Sequence, residues 1–112
     1  MTVTAKPLFN AKQAENAETT QYTAPAGTRT IIDKFTGTNT TGAAATLTIK
    51  LVPSGGAAGA GNTITSAKTL QAGESYTFPE IVGHVLSPGD FISTLAGTAT
   101  AITIRASGRE VS

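Results

Sequence analysis

One histidine, no cysteine and no tryptophan limit the chemistry open to this 112-residue chain. His84 would have to be the base of any Ser-His-acid arrangement, since imidazole takes and returns a proton near neutral pH. No Gly-x-Ser-x-Gly elbow exists to present the serine. His84 lies in a mostly apolar run, Ile81-Val82-Gly83-His84-Val85-Leu86, and reads as a packed or surface side chain. A zinc centre needs several His, Cys or carboxylate ligands at short spacings, and no such cluster occurs. Glu74, Glu80 and Asp90 could converge at one end of a β domain to hold calcium. Without an Asp-rich calcium loop they read as solvated carboxylates beside turns. The glycine-rich stretch 54–62 invites a phosphate-cradling role, but it lacks the Lys-Ser/Thr pair of a P-loop and no strong helix follows. It reads as a long hairpin connection, the most flexible stretch of the chain. Ser54, Gly55, Gly56, Gly59, Gly61 and Asn62 are its candidate contact residues. The Asn39-Thr40-Thr41 glycosylation triplet arises easily by chance among 21 threonines. No residue is assigned a catalytic, cofactor-binding or metal-binding role, and the chain reads as a non-enzyme.

The elements that would position these residues are strands. Thr46-Leu47-Thr48-Ile49-Lys50-Leu51 alternates cleanly, with Leu47, Ile49 and Leu51 facing inward and Thr46, Thr48 and Lys50 outward. Similar runs fall at 19–23, 29–38, 63–70, 75–78, 91–95 and 101–106, separated by Gly, Pro and Asn turns such as Ala24-Pro25-Ala26-Gly27, Gln71-Ala72-Gly73-Glu74 and Ser87-Pro88-Gly89-Asp90. In 29–38 the inward set is ambiguous. Ile31 and Phe35 share a face with Asp33 while Ile32 lies opposite, which a bulge or a strand covered on both faces would settle. Pro79 to Leu86 could form a helical turn, with Ile81 and Val85 four apart. Many short strands with turn signals between them predict an all-β fold, a small antiparallel β-sandwich or jelly-roll-like domain over residues 19–112.

Residues 1–18 read as a separate extended N-terminal arm. A short helix at 11–17 fits its Ala, Lys, Gln and Glu content, though it has no apolar face to bury. Pro7, Leu8 and Phe9 form its one apolar cluster, either part of a frayed terminus or an anchor on a neighbouring subunit. On the second reading, removal of residues 2–17 leaves the sandwich folded and weakens association.

Val, Ile, Leu and Phe together number 23, near the lower edge for an ordered fold, while only 13% of residues are charged. So thin a core favours further burial against a partner, and a homo-oligomer is expected, trimer or dimer. The net charge is +1, the charges are scattered along the chain and aromatics are few, which gives nucleic-acid binding little support. No apolar run is long enough to span a membrane, and residues 1–7 lack the apolar core of a signal peptide, so synthesis in a cytoplasm is the simplest expectation.

Tyr22-Thr23-Ala24-Pro25-Ala26-Gly27-Thr28, Thr38-Asn39-Thr40-Thr41-Gly42, Leu51-Val52-Pro53-Ser54-Gly55-Gly56, Leu70-Gln71-Ala72-Gly73-Glu74 and Gly83-His84-Val85-Leu86-Ser87-Pro88-Gly89-Asp90 resemble, in this order, segments of small virion proteins of tailed bacteriophages. The resemblance covers roughly residues 20–106 and is carried mostly by turns. Within that group the chain is most similar to capsid decoration, or cement, proteins. The resemblance implies a structural protein made in the bacterial cytoplasm and located on the capsid surface, with the major capsid protein as partner and no cofactor. A neck, tail or fibre-tip component and a carbohydrate-binding β-sandwich remain alternatives. Only Tyr22 and Tyr76 could serve the last as aromatic platforms.

Overall fold

The computed structural model describes residues 1–112 and is all β apart from a single 3-10 turn at Ala60–Asn62. Nine strands follow one another: β1 Val3–Gln13, β2 Thr19–Thr23, β3 Arg29–Asn39, β4 Ala45–Val52, β5 Thr63–Leu70, β6 Ser75–Thr77, β7 Val85–Leu86, β8 Phe91–Ala96 and β9 Ile102–Val111. Two antiparallel sheets result. The first has the order β1-β9-β3-β6, with β7 also on β3; the second has the order β2-β8-β4-β5. With the two-residue β7 set aside, the two sheets have the strand order of an eight-stranded jelly roll. The molecule is an elongated slab, 46 × 26 × 19 Å.

Alternation along each strand builds the core between the sheets. Leu47 and Ile49 are fully buried from β4, Ile102 and Ile104 from β9, and Ile92 from β8. Leu51 is half-buried and packs on this core, while Lys50 is drawn nearly out of solvent by a pairing described below. The ambiguity in β3 resolves through a bulge between Ile32 and Lys34. The extra residue flips the pleat, so Ile32 and Phe35 both enter the core while Ile31 turns outward and Asp33 and Lys34 are exposed. Phe9, Phe35, Phe78 and Tyr76 then stack edge to face, with successive ring centroids 5.7, 5.5 and 4.8 Å apart. This row ties β1, β3 and the β6 edge together.

The first 18 residues are extended but not free. Val3–Gln13 pairs with β9, from Val3 opposite Val111 to Gln13 opposite Thr103. No helix forms at 11–17; Ala14 instead donates its N–H to the Ile102 carbonyl at 2.8 Å. The segment escapes a period-two reading because two register shifts, between Pro7 and Phe9 and between Phe9 and Lys12, break its alternation. The polar tail after Ser107 is likewise strand, held between β1 and β3 through Val111. Pro79–Gly83 makes one hydrogen-bonded turn, with Val82 N–H reaching the Phe78 carbonyl at 3.3 Å. Ile81 points into the core and Val85 outward, so they share no face.

The open edges carry irregularities. β1 has Pro7, which lacks a donor, and its two register shifts. On the β5 edge Ala67 adopts a positive φ of 44°, its N–H turned to the Thr48 hydroxyl at 2.9 Å. Gly108 in β9 lies where a Cβ would collide with the backbone carbonyl oxygen of Ile31 on β3. Only glycine permits this approach.

Gly108→Ala is therefore expected to force β9 and β3 apart and cost about 1–3 kcal/mol, read by denaturant unfolding. Removal of residues 2–13 uncovers one edge of β9 and strips Leu8 and Phe9 from the core. We expect the truncated chain to lose cooperative unfolding; an intact transition near the full-length midpoint would contradict the role given to β1.

Candidate functional site

Every carboxylate has a structural partner. Where the chain crosses from β1 to β2, the Lys12 ammonium donates to Glu15 at 2.9 Å and Gln21 donates to its other oxygen at 2.9 Å while also reaching the Thr94 hydroxyl. Glu18 pairs with Lys50 and accepts the Ser93 hydroxyl at 2.7 Å. Tyr22 donates to Glu110 at 2.5 Å and meets the Thr30 hydroxyl at 2.8 Å, linking the two sheets, and Lys6 adds its charge at 3.5 Å from Glu110. Arg109 grips Asp33 through two nitrogens at 3.0 Å. Asp90 accepts the backbone N–H groups of Ser54 and Ser87, each at 2.9 Å, which fastens the start of the 53–62 loop to the Pro88-Gly89 turn. Glu74 accepts the Gln71 N–H at 2.7 Å, and Glu80 accepts the hydroxyls of Thr65 and Tyr76 at 3.3 Å. Glu74, Glu80 and Asp90 do not assemble, and no group of three or more metal-ligating side chains converges anywhere.

These partners shift protonation. Glu15 is held below the usual glutamate value by the hydrogen bonds from Lys12 and Gln21. Burial would raise Glu18, but the Lys50 and Ser93 hydrogen bonds and the Lys50 charge outweigh it, and the net shift is downward. Burial, then the bond to Glu110 and its charge, push the Tyr22 phenol up to about 12.

The residues singled out from the sequence fall in two unconnected places. Leu8 is buried and packs in the chain's own core, Phe9 is half-buried against Phe35, and Pro7 is exposed opposite Ser107. Two of the three expected anchors thus serve the interior, because strand pairing turns their side chains inward. The 54–62 loop joins β4 to β5 in the other sheet. It is braced rather than loose. Asn62 accepts the Gly59 N–H at 3.0 Å and donates to the Ala57 carbonyl at 2.9 Å. Ser54, Gly55, Gly56 and Gly61 are exposed, and Gly59 and Asn62 half-buried. His84 is exposed. Asn39 is fully buried: its amide nitrogen donates to the Ala43 and Leu70 carbonyls, and its oxygen accepts the N–H and hydroxyl of Thr41. It pins the β3–β4 turn and offers no amide to a sugar.

The charges are scattered in sequence but not in space. β3 and β9 are paired with Thr36 opposite Arg105, Lys34 opposite Ser107, Ile31 opposite Arg109 and Arg29 opposite Val111. The exposed cations Arg29, Lys34, Arg105 and Arg109 therefore share the outer face of the first sheet. A shallow depression of about 200 Å³ is lined there by Lys34, Thr36, Arg105 and Ser107. A wider one of about 380 Å³ lies at the Arg29 end, lined by Met1, Gly27, Arg29, Pro88, Val111 and Ser112. The signal missed in the sequence was the pairing of 29–39 with 102–111.

No family model matches the chain. No curated protein matches it either. Among solved structures it is similar to a chain in the structure of the infectious bursal disease virus Gx strain, with 14% identity and a TM-score of 0.42 over 97% of this chain and 32% of that one. The chain thus spans about a third of that protein's length.

The depressed carboxylates stabilise the fold above the usual glutamate value of 4.5, and that contribution is lost as pH falls through their lowered folded values. The acid limb of the stability profile should flatten in a Glu15→Gln/Glu18→Gln variant. The raised phenol works in the opposite sense. Its contribution is complete below 10.0 and is lost as pH rises from there to about 12, a loss that Tyr22→Phe should remove. Denaturant midpoints across both pH ranges check both expectations.

Proposed function

We propose that this chain is a non-enzymatic structural protein of a tailed-phage virion, a decoration protein that binds the outside of the capsid and stabilises it. The observation that carries this reading is the use to which reactive side chains are put. All seven carboxylates hold turns, crossovers or neighbouring strands. The jelly-roll strand order supports it as a scaffold found among capsid proteins, though it also serves lectins and enzymes. The turn segments that resemble phage virion proteins point the same way, and in the structure they include the Asp90-linked turns and the Asn39 corner.

A slab of this shape gains affinity from repetition. Many copies at fixed spacings on a lattice bind more firmly than one contact allows. Self-association, as a trimer or a dimer, belongs to the same proposal.

Labelled protein mixed with capsids lacking it should co-sediment to saturation at a fixed ratio of copies per shell, and the loaded shells should resist heat or chelator better than bare ones. Electron microscopy should then show density spread over the shell. Density confined to one vertex or to the tail would assign the chain to the neck or tail instead, and no co-sedimentation would overturn the reading.

A further inference from the structure

Four ion pairs take up Lys6, Lys12, Lys50 and Arg109, which leaves Arg29, Lys34, Lys68 and Arg105 without a carboxylate partner. Lys68 lies over the Tyr76 ring at 4.5 Å. The other three sit on the outer face of the β1-β9-β3-β6 sheet, where the only counter-charge on β3 and β9, Asp33, is taken by Arg109. Lys34 and Arg105 are diagonal neighbours across the β3–β9 ladder, roughly 7–8 Å apart and within reach of each other's long side chains. Like charges so placed repel one another, a repulsion that salt screens at this exposed face. The bulge at Asp33 matters here, because it turns Lys34 to this face.

We propose that this face is a docking surface for an acidic protein, whose Asp or Glu side chains enter the depression between Lys34 and Arg105 and accept hydrogen bonds from Thr36 and Ser107. Charge complementarity selects the occupant. A second copy is disfavoured: face to face it would set the same cations against each other, and its own carboxylates are all engaged. Single-stranded nucleic acid is disfavoured as well, and duplex DNA is an outcome of the test. Base stacking needs exposed rings, and Phe35 and Phe78 are buried while Phe9, Phe91, Tyr22 and Tyr76 are half-buried away from these cations. Half-exposed Ile31 and Val111 and exposed Val85 flank the cations and add apolar contact area. This inference goes beyond the virion reading and stands without it.

The test uses the full chain with immobilised poly-L-glutamate and, separately, duplex DNA, at low and high ionic strength. Lys34→Gln/Arg105→Gln should weaken poly-L-glutamate binding about tenfold at low salt and leave the thermal midpoint unchanged or higher, since it relieves repulsion. Lys12→Gln/Lys68→Gln removes the same charge elsewhere and should change binding less than about twofold. Arg29→Gln provides a single-site check on the same face. Equal losses in the two double variants would overturn the proposal, as would tighter binding to DNA than to poly-L-glutamate. A drop in midpoint for Lys34→Gln/Arg105→Gln would assign these cations to the fold and overturn it too.

Discussion

The ladder in which β9 lies between β1 and β3 is the constraint on which the rest of the molecule depends. It joins the beginning of the chain to its end, Val3 opposite Val111, and sets the register of everything on the first sheet. The inward residues of these strands, Leu8, Phe35 and Ile104 among them, reach the core only in this register. The ladder also has little tolerance, since the backbones of β9 and β3 come together at Gly108 with no room for a methyl group. Contacts between residues so distant in sequence close the largest loop the chain can form, and folding dominated by them is slow.

Polar side chains then fasten the two sheets where the chain passes between them. Glu15 and Glu18 hold the β1–β2 crossover against Lys12, Lys50 and Ser93, and Tyr22 bridges to Glu110 and Thr30. Asn39 does the same work at the β3–β4 corner with four hydrogen bonds from one amide. Groups bound in this way favour one geometry over its alternatives.

Much of this was legible in the sequence. Strands over 19–23, 29–38, 45–52, 63–70 and 91–95 follow from alternation and from turns whose glycines, such as Gly89 with φ of 88°, occupy the left-handed region. The strand at 3–13 was hidden because bulges break its period and its one apolar cluster is three adjacent residues. The end of β9 was hidden by Ser107 and Gly108, a polar residue and a glycine that the ladder requires. The grouping of Arg29, Lys34 and Arg105 could not be read at all. It depends on which strands are neighbours, which leaves no local signature, and on a one-residue bulge that the mixed pattern of 29–38 offered as one of two solutions.

The irregular borders of the sheets have one more implication. β1 presents a proline and two shifts in pairing to any approaching strand, β5 a residue of positive φ beside Lys68, and β6 only three residues. Borders of this kind block the growth of shared sheets from molecule to molecule. At high local density these three borders therefore resist backbone pairing between copies.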